Sequence, residues 1–355
     1  MKLGVVAAVH RVVALQAQEA PGPYVGLWSR VASFDASDLD QAFVKRTIVK
    51  ASQMRMTLQA TDAADYPAFH RAMTYNLRAS RLNDSRFRVA GVDVDALVPE
   101  ILEALAEPRT NPEMEAWLDE RLGVLPRPGV WWATRTFAPL HHAVTGGPWS
   151  FGPRPSYIAA HTKPFEGDET HATALLVRRY LEGFGPARSQ DVAQFSMIRM
   201  PVVKPAIERL QDRGEIVELE GPDGKTIYDV PDGLIPPEDS PAPPRLLPMW
   251  DNVLLAYADR RRLVPEEYRR LITKQNGDTL PTVLVDGCVA GVWRALSEGI
   301  EITAFHKLAK ADWTAIEAEA TSLRRFLADR DPKVYSRYGH WWKTLPNAEI
   351  RVLGG

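Results

Sequence analysis

A single cysteine, Cys288, occurs among the 355 residues, so no disulfide can close within the chain, and a reducing compartment suits it. Long apolar runs are missing too. The stretch 3–9 behind Lys2 is cut short by His10 and Arg11 and lacks a small-residue cleavage site, and nothing approaches the ~20 apolar residues of a spanning helix. The expectation is a cytoplasmic protein with no membrane partner. Charge of one sign is also lacking: 43 basic against 45 acidic residues give a net charge of −2, so contact with nucleic acid must rest on local basic faces. There is no P-loop, no dinucleotide fingerprint, no G-x-S-x-G and no Cys–His nucleophile arrangement, which leaves cofactor-dependent chemistry without support; no cofactor is expected. His161, Glu166, Asp168, Glu169 and His171 crowd a stretch containing proline and glycine, but in no zinc spacing, and read as a solvated loop. No metal site is expected.

What remains is an ordinary globular composition, 45% hydrophobic and 25% charged, long enough for two or three domains. Apolar residues at helical intervals mark 3–15 and 24–31, and Asp35 to Asp38 supply cap-type residues before a helix over 39–44. Ile48, Val49, Met54, Met56 and Leu58 then space as short strands. Helices followed by strands is the order of a helix-turn-helix with a wing. It returns at 95–105, 112–122 and 131–144, followed by a turn and extended piece at 146–151. On that helix His141 and His142 diverge by about 100° and cannot easily chelate together. The order returns again at 172–181, at 190–195 capped by Ser189, and in a basic helix 201–213, with a strand pair over 215–219 and 225–230 joined through Gly221-Pro222-Asp223-Gly224. Seven prolines in 231–248 make a stiff connector. Beyond it, strands either side of Asp286-Gly287 give the best hairpin signal in the chain, followed by a strand at 301–306, a helix at 312–328 and an aromatic, basic end. The fold class expected is α+β, three tandem winged-helix units over 1–92, 93–166 and 167–235 and a hairpin-containing C-terminal region over 236–355.

Gln16 and Gln18 stand one residue apart and point the same way if extended, so paired amides could hold a water, a sugar or a base edge. On spacing alone a polar surface turn explains Q-x-Q as well. Arg199, Lys204, Arg209 and Arg213 lie where the third unit would place a recognition helix, and Arg260-Arg261-Arg262 adds a second basic group. Lys333, Arg337, His340 and Lys343 interleave with Tyr335, Tyr338, Trp341 and Trp342, a mixture suited to phosphate contact and base stacking. Each patch singly is as well explained by a solvated helix face or the edge of an aromatic core.

Leu15-Gln16-Ala17-Gln18, Leu27-Trp28-Ser29-Arg30, Met54 to Gln59, Gly183-Phe184-Gly185-Pro186-Ala187, Leu246 to Asp251 and Thr282 to Arg294 fall in the order seen in tandem winged-helix DNA glycosylases. Over nearly the whole chain the sequence resembles the AlkZ-like branch, associated with alkylated purines and interstrand crosslinks. The resemblance implies a C-shaped arrangement of three winged-helix units around a DNA channel, with both glutamines functional and the 283–294 hairpin, tip at Asp286-Gly287, contacting the lesion. It implies a monofunctional, monomeric glycosylase acting on double-stranded DNA that is alkylated or crosslinked. Catalytic residues expected on this footing are Gln16, Gln18 and Asp251. For Asp251 a capping or turn role is the competing reading, and Glu19 would face away from the glutamine pair. The DNA contacts expected are Arg55, Lys204, Arg209, Arg260, Arg261, Asp286, Gly287, Arg294 and Trp341. Two departures stand out: only fifteen residues precede Gln16, and Met56 and Gln59 replace the Gly and His of many relatives. Competing readings are a non-catalytic winged-helix DNA-binding protein or transcriptional regulator, dimeric on half-sites, and a scaffold without DNA affinity.

Overall fold

The computed structural model describes residues 2–88, 91–123, 129–346 and 348–355. Helix α1 (Val5–Arg11) stops where Val13 takes a positive φ of 67°, and the chain turns into strand β1 (Leu15–Gln16). The single helix expected over 3–15 is therefore half as long. Helix α2 (Gly22–Trp28) has Pro23 in its first turn, where no backbone N–H is needed. Then come α3 (Ala36–Val44), capped by the Asp35 carboxylate on the Ser37 N–H, and strands β2 (Ile48–Ser52) and β3 (Leu58–Asp62).

The next stretch is α4 (Tyr66–Leu82), α5 (Ser85–Arg88), α6 (Val94–Ala104), β4 (Arg109–Thr110), α7 (Asn111–Leu122), α8 (Gly129–Phe137), β5 (Leu140–His142) and β6 (Ser156–Ala159). A helix was expected through residue 144; it ends at Phe137 because Pro139 cannot continue it. His141 and His142 thus lie on a strand and project to opposite faces. Of the turn and extended piece expected at 146–151, the turn is present at 148–149, and bends flank it where extended chain was expected. Helices α9 (Glu169–Phe184), α10 (Ser189–Ser196) and α11 (Met200–Asp212) lead to the hairpin of β7 (Val217–Glu220) and β8 (Thr226–Asp229), close to expectation; Ser189 is the first helical residue rather than the cap. The C-terminal part holds β9 (Arg245–Leu246), α12 (Glu266–Ile272), β10 (Thr282–Val285), β11 (Cys288–Ala295), β12 (Ile300–Ala304), α13 (Lys310–Ala328) and β13 (Glu349–Leu353).

The fold is α+β, and its contacts divide into two compact units. One comprises Leu3–Ala20 and Asp35–Gly233. It holds the antiparallel sheet β1-β3-β2, the sheet β4-β6-β5, and α4 packed on both α8 and α9. The other comprises Pro21–Phe34 and Leu234–Gly355 and is built on the antiparallel sheet β13-β12-β11-β10-β9. There Val289 and Val292 pack with Leu247, Leu254, Val264 and Leu280. Within this second unit α2 is a core element: Tyr24, Val25 and Leu27 are fully buried, Trp28 stacks on Phe326 at 6.1 Å, and Arg330 covers the Tyr24 ring at 5.2 Å. No helix among the described residues is long and apolar enough to cross a membrane.

Candidate functional site

Strand β1 is held at the edge of its sheet by pairing with β3, Leu15 opposite Ala60 and Gln16 opposite Gln59, while β2 sets Lys50 opposite Ala60 and Ala51 opposite Gln59. Directly opposed residues share a face. Gln16, Gln59 and Ala51 therefore line one side of the sheet, and Leu15, Ala60 and Lys50 the other.

Gln16 is buried at 6% exposure, and its carboxamide is tied at both ends. Its Oε1 accepts the backbone N–H of Gln18 at 2.7 Å, and its Nε2 donates to Thr57 Oγ1 at 3.2 Å. Gln59, wholly buried, donates its Nε2 to the same hydroxyl at 2.8 Å. Gln18 lies past the end of β1 in a bend and its side chain is exposed. The two glutamines are thus unequal, one fixed and one open to solvent. Thr57 reaches its place through the turn between β2 and β3, where Arg55 and Met56 have φ of 57° and 56°. Two successive non-glycine residues in the left-handed region cost about 1 kcal/mol or more each. Arg55 secures that turn: its guanidinium donates to the Phe195 carbonyl at 3.0 Å and lies 5.2 Å from the Phe195 ring centre.

On the opposite face Lys50 is buried with its ammonium 4.6 Å from the Phe151 ring centre. Burial pulls its amine down to about 8, against which the Glu19 carboxylate acts. A cavity of about 170 Å³ lies there, lined by Lys50, Phe43, Phe151, Ile158 and His142 among others. Burial and the nearby Lys50 charge hold His142 well below its ordinary value, and burial holds His141 down to about 3, so both imidazoles are neutral at pH 7. Sequence reasoning also missed an ion cluster. His10 Nδ1 lies 3.3 Å from Asp62 and 3.2 Å from Asp65, and Arg179 Nε donates to Asp65 at 3.0 Å. Burial raises the Asp65 carboxyl and Arg179 opposes that rise. Arg179 is shared, its Nη1 donating to Glu182 at 2.7 Å.

In the unit that carries Gln16, Lys204 on α11 is exposed and Arg209 half-buried, neither with a carboxylate partner among the described residues. Arg199 lies over the Tyr75 ring at 4.9 Å. In the other unit Asp251 is 3% exposed and caps a short 3-10 turn, Oδ1 accepting from the Val253 N–H at 2.9 Å and from the Arg30 guanidinium at 2.5 Å. Arg260 is partly buried, and burial with the Arg269 charge lowers its basicity, whereas Arg261 is exposed and clasped by Asp259. Asp286 and Gly287 form the tip joining β10 and β11 with φ of 48° and 73°, as a type I′ hairpin requires. Arg294, opposite Glu301 on the next strand, pairs with it at 2.7 Å, and Trp341 donates its indole N–H to Asp278 at 3.0 Å.

The fold is shared with a DNA glycosylase of known structure. Streptomyces sahachiroi DNA glycosylase AlkZ superposes with a TM-score of 0.76 at 20% sequence identity, covering 94% of this chain and 93% of that one. No curated protein sequence matches. The family of AlkZ-like DNA glycosylases, however, matches residues 9–326, and the chain belongs to that family.

Proposed function

We propose that the protein is a monofunctional DNA glycosylase that hydrolyses the N-glycosidic bond of cationic purines, those alkylated at N7 or N3, in double-stranded DNA, and that it acts on interstrand crosslinks built from such adducts. The observation that carries this reading is the pinned carboxamide of Gln16 in a chain of the AlkZ-like family. A purine alkylated at N7 already bears the charge that makes it a leaving group, so its departure needs no proton from the protein. The task left is to hold water and favour the oxocarbenium-like sugar, a matter of orientation and preorganised dipoles. A carboxamide offers an acceptor and a donor for that purpose, and being neutral it would do little for an uncharged base. Gln16 is the rigid member in this scheme and Gln18 the exposed one that meets the DNA.

The helix–helix–helix–hairpin order of α9, α10, α11, β7 and β8 supports reading residues 167–235 as a winged helix, with Lys204 and Arg209 on its recognition helix. Two further such units, a cytoplasmic location, a monomeric state and DNA contacts at the basic and hairpin residues named above belong to the same proposal. Asp251 is proposed as a functional carboxylate whose partner Arg30 holds it in place.

The test is release of N7-methylguanine from methylated duplex, measured for the parent protein and for Gln16→Ala and Gln18→Ala. Release by the parent, lowered by about 100-fold or more in Gln16→Ala, supports the reading. A parent protein that releases no base, yet binds one undamaged sequence as tightly as its modified copy, identifies instead a winged-helix regulator.

A further inference from the structure

Thr57 has a hydroxyl whose hydrogen-bonding capacity is fully spent. Such a group has one hydrogen to give and two lone pairs to fill. The hydrogen goes to the Met54 carbonyl at 3.2 Å, and the lone pairs accept from Gln16 Nε2 at 3.2 Å and Gln59 Nε2 at 2.8 Å. The oxygen and nitrogen of a carboxamide are alike in shape, and only their partners decide which way the group points. Here the Gln18 N–H requires an oxygen at 2.7 Å and the filled hydroxyl requires a nitrogen. Flipping the Gln16 amide would set two N–H groups against each other at one end and an oxygen against an acceptor at the other.

The Met54 carbonyl is what keeps the hydroxyl from adapting. With one lone pair taken by Gln59 and the hydrogen by Met54, the hydroxyl cannot rotate to donate towards Gln16 without breaking a bond inside the fold. The bond broken would be the one donated to the Met54 carbonyl, and Met54 is wholly buried, so water could not replace it. Gln16 is left with one unspent lone pair and one unspent hydrogen, the set needed to hold a single water as both donor and acceptor.

We propose that Thr57 is the positioning residue of the site, with the Met54 carbonyl as its lock, and that it sets the orientation of the Gln16 carboxamide for the hydrolysis proposed above, the reading on which this inference rests. Thr57 touches neither water nor sugar in this scheme; it acts through Gln16.

Thr57→Val keeps the shape and removes the hydroxyl, while Thr57→Ser keeps the hydroxyl. Single-turnover release of N7-methylguanine is expected to fall about 10- to 100-fold in Thr57→Val, with DNA affinity within about two-fold of the parent and Thr57→Ser within about three-fold in rate. Nitrogen-15 NMR of the side-chain amides supplies a readout that does not need turnover. The Gln16 NH₂ pair, identified by its loss in Gln16→Ala, should move towards free-amide positions in Thr57→Val and stay in place in Thr57→Ser. The proposal is overturned if Thr57→Val keeps the parent rate, or if the Gln16 pair is unmoved in it. Should the parent release no base at all, the hydrolytic reading fails, and the NMR comparison still decides whether Thr57 orients Gln16.

Discussion

At the scale of the residue, Lys50 puts an amine in a place where water does not follow. Its value of about 8 in the folded chain against 10.5 for an ordinary lysine means that between these pH values the unfolded chain binds the proton and the folded one does not. Stability therefore rises with pH across that window and is flat below it, where both states are charged and the burial penalty is fully present. Relative to Lys50→Met, the parent should gain on the order of 3 kcal/mol between pH 8 and pH 10.5, read from urea unfolding of both proteins at each pH. Parallel curves across the window would show that Lys50 titrates normally. None of this was visible in the residue string, where Lys50 is one lysine in a strand of alternating character. Gln16 and Gln18 were visible as a pair, because spacing alone carries that signal. Their inequality was not, since it depends on where β1 ends and on a threonine forty-one positions away.

Among elements, α1 packs against α9 just ahead of the glutamine strand. Gly183 on α9 lies so close to α1 that a Cβ there would stand 2.6 Å from the Arg11 carbonyl oxygen and 3.3 Å from Val13. Carbonyl oxygen and Cβ cannot share that space, so Gly183→Ala should push α1 off α9, lowering stability by about 2–3 kcal/mol in thermal or urea unfolding. Because α1 runs directly into β1, base release should fall with it even where the variant stays folded. The Gly183 to Ala187 stretch marks the family in sequence, and the structure gives its first glycine a packing reason. Most element types were legible from period and punctuation: the hairpin at Asp286-Gly287, α11 and α13 all fall within a few residues of expectation. The helix carried past Pro139 shows the opposite case, apolar spacing outweighing a proline that should have ended it. Helix α4 went unread although Pro67 in its first turn and Phe69, Met73 and Leu77 at four-residue intervals announce it.

For the molecule as a whole, a net charge of −2 sets a condition on any binding to DNA. Attraction must come from a few exposed cations, and each phosphate neutralised adds about 0.9 to the slope of log affinity against log salt. Replacing both Lys204 and Arg209 by alanine should reduce that slope by about 2 and weaken binding evenly across sequences, as fluorescence anisotropy over a salt series would show. An unchanged slope would take α11 out of the interface. The family was legible from motifs scattered over the chain, each weak alone and telling in their order.

Helix α2, near the start of the chain, finds its packing partners Phe326 and Arg330 almost at the other end. A ribosome adding roughly 5–20 residues each second needs on the order of 15–60 s to get from one to the other. Throughout that interval Trp28 and Tyr24 wait without these two partners, so the unit to which the helix belongs closes only after nearly the whole chain has been made.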